Sequence, residues 1–262
     1  MYIGLNNKII RIIKITLFLF LLPLFMLGCS DRKNNPASPP GPAISTSPSA
    51  VDEFDDPDWE QNNGTTFWQQ ASWMQNGTQM DPERCQANNG FLELTVLPGQ
   101  PYRGGSIQTR NDKWSYGRWE ASLKPSPVRG VLNSMFTNDW NGKTYEEADI
   151  EFLTYTFGKD KGSVHLALHE EGKTNYWWEE VPLSFNPSDT FHVWAIQILP
   201  DSVSWYVDGD LLRTFVYNEE FALMAPYQFF FNAWTKDEWI NGPPAVTATY
   251  QIDWVKFYSY TN

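Results

Sequence analysis

The sequence predicts an all-β fold, a two-sheet sandwich of the jelly-roll kind. Three observations predict it. From Phe91 onward, apolar and polar residues alternate with period two in at least eight runs. Those runs are rich in β-branched and aromatic residues, which suit a pleated, half-buried surface. No segment carries a sustained 3.6-residue stripe, and clusters of Gly, Pro, Asn and Asp separate the runs. Many short strands with frequent turns build a sandwich rather than a doubly wound sheet.

Along the chain, residues 1–28 stand apart. Lys8, Arg11 and Lys14 give a basic start with no acidic residue, Ile15 to Leu27 is almost wholly apolar, and Gly28-Cys29 follows. That is the layout of an export signal, and the apolar run is shorter than the ~20 residues a membrane span needs. Met26-Leu27-Gly28-Cys29 resembles a bacterial lipobox, with Met where Leu is usual. It implies lipidation of Cys29 and a membrane anchor, with Ser30 compatible with the outer membrane or cell surface. An ordinary cleaved signal and a secreted protein are the alternative. Residues 29–50 are rich in Pro and Ser with little apolar surface, so a disordered tether is expected there. The folded domain is expected over 51–262.

Within that domain the expected strands are 91–97, 117–124, 147–155, 163–169, 191–199, 203–209, 227–234 and 247–260. Turn chemistry bounds them at Leu97-Pro98-Gly99-Gln100, Asp139-Trp140-Asn141-Gly142, Val207-Asp208-Gly209-Asp210 and Asn241-Gly242-Pro243-Pro244. The segment from Val203 to Phe215 reads as a hairpin with Asp208-Gly209 in its turn.

Composition narrows the function. The chain has 262 residues and a formal net charge of −12, which becomes −15 once residues 1–28 and their three positive charges are removed. Such a balance argues against nucleic acid, whose phosphates need clustered Lys and Arg. Thirteen Trp in an acidic chain suit either a sugar-binding cleft or a β core. Cys29 and Cys85 lie in regions of different character, so no disulfide is expected, and no Cys/His cluster has zinc spacing.

The sharpest feature is Glu147-Ala148-Asp149-Ile150-Glu151-Phe152. In a strand, alternate side chains share a face. Ala148, Ile150 and Phe152 would then enter a core while Glu147, Asp149 and Glu151 form a row on the other face. Like charges in line repel, so the row is costly unless it is used; a solvated edge strand is the alternative. Glycoside cleavage uses two carboxyl groups, one protonated and one ionised, about 5–5.5 Å apart in retaining enzymes. Residues i and i+4 lie about 13 Å apart at Cα, at about 3.3 Å per residue, and long Glu side chains can lean together. Crowding raises at least one pKa and keeps that group protonated as a general acid. The residues alone leave open which glutamate is which.

This run resembles the ExDxE signature of family 16 glycoside hydrolases. Tyr116-Gly117-Arg118-Trp119-Glu120 resembles that family's YGxxE segment, Trp205-Tyr206-Val207-Asp208-Gly209 its WYVDG hairpin, and Tyr250 to Phe257 its closing strand. The likeness covers roughly 51–262. It implies a concanavalin A-like sandwich with a concave substrate cleft and a retaining double displacement. Glu147 would be the nucleophile, Glu151 the acid/base, and Asp149 a partner of the nucleophile. No cofactor would be required for catalysis, and a monomer is expected. One residue between Asp149 and Glu151 resembles the form in lichenases and xyloglucan-active members, which favours a 1,3-1,4-β-glucan endohydrolase. An endo-1,3-β-glucanase, a transglycosylase and a non-catalytic glycan-binding lipoprotein are the alternatives.

Further candidates follow from parity and resemblance. His165 and His169 would face the cleft if their strand lies beside Glu147–Glu151, and they resemble the laminarinase pattern. Asn232, Trp234 and Trp239 resemble a cleft-lining NxW…W segment, with core packing the alternative for the two Trp. Tyr145 takes the place of a cleft Trp. The lichenase Glu-x-Arg pair is absent; Ser106-Ile107-Gln108 stands nearest, so Gln108 is the donor-side candidate. The lichenase disulfide cannot form with Cys85 alone. Asp253 and the Gly90 carbonyl match the positions of a structural calcium.

Overall fold

The computed structural model describes residues 43–56, 67–110, 114–138, 146–170, 173–224, 226–236 and 238–261. The export signal, Cys29, the Asp139–Gly142 turn and Tyr145 lie outside the described residues. Strands in chain order are β1 (Ala43–Ile44), β2 (Ala50–Asp52), β3 (Trp68–Gln70), β4 (Met74–Gln75), β5 (Thr78–Met80) and β6 (Cys85–Asn88). Then come β7 (Phe91–Val96), β8 (Arg103–Thr109), β9 (Gly117–Lys124), β10 (Leu132–Asn138), β11 (Glu146–Leu153) and β12 (Gly162–Glu170). The last six are β13 (Lys173–Leu183), β14 (His192–Ile198), β15 (Ser202–Val207), β16 (Asp210–Val216), β17 (Gln228–Trp234) and β18 (Ala248–Thr261).

They form two sheets, as expected of a jelly roll. One has the order β16-β15-β14-β9-β18-β7-β6, with β1 and β2 on β18. The other, the cleft sheet, runs β13-β12-β11-β10-β17-β8-β5-β4, with β3 on β8. Aromatic pairs join the sheets. Trp119 stacks on Phe229 at 4.3 Å, Phe152 meets Trp194 edge-on at 4.8 Å, and Trp177 stacks on Trp205 at 5.4 Å. Rings of this size bury the most apolar area per residue, and offset or edge-on contacts add to it. Trp68, Trp119, Trp194 and Trp205 are fully buried, so part of the Trp content serves the core.

The eight expected strands are present within a residue or two of their expected ends. The hairpin is present too: Asp208 (φ 50°) and Gly209 (φ 86°) form the left-handed pair that a two-residue turn between twisted strands requires. Two expectations change. The fold begins near residue 43 rather than 51, because Ala43–Ile44 pairs with Tyr260 and Thr261, and Ala50–Asp52 with Val255 to Phe257. The tether is shortened by those residues, whose backbone groups are satisfied by the closing strand. Six cleft-sheet strands also go unpredicted, the short β3, β4 and β5 and the longer β8, β10 and β13. β10 is buried along its whole length, so it shows no solvent-facing alternation. β8 holds Gly104 and Gly105, poor strand formers that are needed because a Cβ would strike the carbonyls of Ala233 and Arg84. β13 carries Pro182, which an edge strand tolerates.

Candidate active site

β11 is an interior strand, between β10 and β12. Ala148, Ile150 and Phe152 are fully buried between the sheets. Glu147, Asp149 and Glu151 line a cleft of about 500 Å³ on the opposite face. Antiparallel partners point to the same side, so register carries this face across the sheet in three rows. The first is Gln228, Asn138, Glu147, His169; the second Gln108, Phe230, Phe136, Asp149, Ala167, Trp178; the third Ser106, Asn232, Ser134, Glu151, His165, Glu180.

Hydrogen bonds fix the carboxyls. Asn138 Nδ2 donates to Glu147 Oε2 at 2.7 Å. Asp149 and Glu147 are hydrogen-bonded through their side chains. His169 Nε2 lies 3.2 Å from Asp149 Oδ2, and His165 Nε2 lies 3.7 Å from Glu151 Oε2. Burial pushes Asp149 well above the ordinary carboxylate range, and the neighbouring Glu147 charge and hydrogen bond add to this. Burial also pushes Glu151 well above that range; Asp149 adds, His169 opposes and Glu147 adds. Burial lowers His165, against the pull of Glu180, and His169 lowers it further. Burial thus favours the protonated form of Asp149 and Glu151 and the neutral form of His165, a tendency that suits a general acid.

Most sequence candidates come together. Gln108, Asn232 and Trp234 line the cleft beside the three acids. Asn232 is held by the Ser134 hydroxyl, which donates to its Oδ1 at 2.7 Å. Trp234 is buried and still lines the cleft, so packing and lining coincide. Trp239 is 45% exposed, with its ring centroid 6.1 Å from Trp234 and 6.0 Å from His165. Sequence reasoning missed Trp73, Ser134, Phe136, Asn138, Gln228 and Phe230. No alternation along β10 marked Ser134, Phe136 and Asn138, because both faces of that strand are buried. Phe136 stacks on Phe230 at 4.6 Å and makes an aromatic floor beside Asp149.

Two places bear on metals. Among the described residues, Glu147, Asp149 and His169 bring ligand atoms within 4.8 Å of one another. Asp253 sits at a bulge of β18 and its carboxylate accepts from the Ser122 hydroxyl at 3.2 Å. Gly90 (φ 79°) follows β6. These two supply at most a few of the six to eight oxygens calcium takes, and no catalytic step runs through them. Cys85 is free and buried, its thiol pushed up to about 12 by burial.

The family model described as glycosyl hydrolases family 16 matches residues 59–256. The chain belongs to that family. It is therefore a glycosidase, and its sandwich is the fold of that group. Its relatives include a β-glucanase of Brevibacillus brevis, 30% identical over 265 residues and covering 93% of each chain. Similar solved structures include the β-glucanase of Bacillus licheniformis, with a TM-score of 0.68 and 24% identity over 82% of this chain and 99% of that one. Another is the catalytic domain of an endo-1,3-β-glucanase (laminarinase) from Thermotoga petrophila RKU-1. Its TM-score is 0.66, with 18% identity over 84% of this chain and 100% of that one. At these identities the structural likenesses speak to the fold.

Proposed function

We propose that the protein is a retaining endo-hydrolase of β-glucan, with mixed-linkage 1,3-1,4-β-glucan as its substrate. One observation carries this reading: two glutamates share a cleft face, one held by hydrogen bonds and the other buried, which favours its protonated form. Glu147, with Asn138 and Asp149 as donors, attacks the anomeric carbon. Glu151 gives its proton to the glycosidic oxygen as that bond breaks, leaving a glycosyl ester on Glu147. Glu151, now a carboxylate, takes a proton from water; that water attacks the same carbon and releases Glu147. Asp149 holds its proton toward Glu147 and limits repulsion in the row. Gln108, Asn232, Trp234 and the Phe136–Phe230 floor contact the sugar chain, and a cleft open to solvent admits a polymer.

The glucan assignment draws on the β-glucanase relative and on the unbulged ExDxE spacing. An endo-1,3-β-glucanase is the second reading, favoured by His165 and His169 beside the acids. Products from barley glucan, lichenan, laminarin and xyloglucan separate the two. Cleavage of the first two is expected, and cleavage of laminarin alone would overturn the substrate assignment.

Export and a lipid anchor at Cys29 are part of the proposal and rest on residues 1–29 alone. Cells expressing the full chain should incorporate labelled palmitate into it, and Cys29→Ala should lose the label. Equal labelling of both would reject the anchor.

A further inference from the structure

The cleft of about 500 Å³ lies to one side of the catalytic strand. Among the described residues its lining comes from β11 and from β10, β17, β8 and the Trp73–Gln75 segment, with none from β12 or β13. The other side of the same face carries a different feature. Trp178, on edge strand β13, is 54% exposed. Its ring lies nearly parallel to His165, with centroids 5.2 Å apart and an interplanar angle of 19°. One face of the indole is thus covered by the imidazole, and the exposure belongs to the other. Trp239 meets the same imidazole edge-on. It holds φ at 42°, a left-handed backbone conformation that is uncommon for a non-glycine residue and is kept where surrounding structure imposes it.

Two large exposed rings held against one buried histidine are not explained by core packing. Their position gives the chemistry. Trp178 stands in the row of Asp149, with Ala167 between them. Two strand spacings separate the catalytic strand from Trp178, about 10 Å at about 4.8 Å each. Ala167, the small residue of that row, is itself buried between them. His165, which Trp178 covers, is the cross-strand neighbour of Glu151, the group assigned to protonate the leaving oxygen.

We infer that Trp178, backed by His165 and flanked by Trp239, is a stacking platform for the leaving-group part of the glucan. The large cleft then holds the part that becomes the ester. Trp178 is a substrate-positioning residue that binds the pyranose ring of a departing or incoming glucosyl unit. The inference rests on the glycosidase mechanism proposed above and adds the polarity of the cleft. A platform on this side holds an incoming sugar as well as a departing one, so it also sets how often the ester passes to sugar rather than water.

Two substrates with the same oligosaccharyl donor test this. One has a glucosyl-glucose leaving group and the other fluoride, which has no ring to stack. The reading is the ratio of kcat/KM between them. Trp178→Ala should lower that ratio roughly five- to tenfold, the size of one lost aromatic contact. Trp178→Phe should restore most of it, which also controls for folding of the edge strand. A wild type active on both substrates, with the ratio unchanged in Trp178→Ala, would overturn the platform alone. A wild type active on neither would overturn the glucanase reading and the platform with it.

Discussion

The two faces of β11 obey opposite rules. Toward the other sheet, Ala148, Ile150 and Phe152 are fully buried, and Phe152 meets Trp194 across the core. Toward the cleft, Glu147, Asp149 and Glu151 are crowded, and Asp149 and Glu151 are buried as well. The same backbone stabilises the fold on one side and stores a cost on the other. Carboxyls that must act as acid and nucleophile cannot be solvated like surface acids. The core face supplies the stability that lets the cleft face keep them.

Substitutions can break this division. The largest effect is expected from Glu147→Ala, which should lower glucan hydrolysis by at least about 10⁴-fold, as loss of a nucleophile does, while glycan binding and the fold survive. Its counterpart Phe152→Ala should cost about 3–5 kcal/mol in urea unfolding, through lost burial and a cavity beside Trp194. If Glu147→Ala unfolds the protein as readily as Phe152→Ala, the two faces are not divided as described.

A smaller effect sharpens the comparison. Glu151 in the fold holds its proton more tightly than an unfolded glutamate, whose pKa is about 4.3. Stability from this group is therefore complete below about pH 4 and is lost as pH rises through the unfolded value toward the raised one. Glu151→Gln removes that loss. The variant should be more stable than the parent by about 1 kcal/mol at pH 7, with the gain vanishing near pH 3, and should hydrolyse glucan far more slowly. Thermal unfolding at the two pH values checks this; a destabilised variant at pH 7 would mean the charged form is the one the site favours.

The same contrast explains what was legible in the sequence. Strands with one core face and one wetter face, such as β7 and β9, alternate visibly and were found. The acid row was found for the same reason, since parity alone places Glu147, Asp149 and Glu151 together. β10 was invisible because its cleft face, with Phe136, is as buried as its core face. Phe230 was hidden within Phe229-Phe230-Phe231, where apolar residues on both faces erase the alternation. The aromatic floor of the cleft thus reads as core. The start of the fold at Ala43 was hidden for a different reason. Those residues pair through their backbone with β18, which leaves no mark on side-chain pattern.

The most direct test of the central claim is to trap the ester. A 2-fluoro oligoglucosyl donor with a good leaving group slows the second step, and peptide mass spectrometry then locates the sugar. The account predicts one glycosyl unit esterified to Glu147. A sugar on Glu151 or any other residue, or an active enzyme that turns the donor over without ever carrying a label, would contradict it.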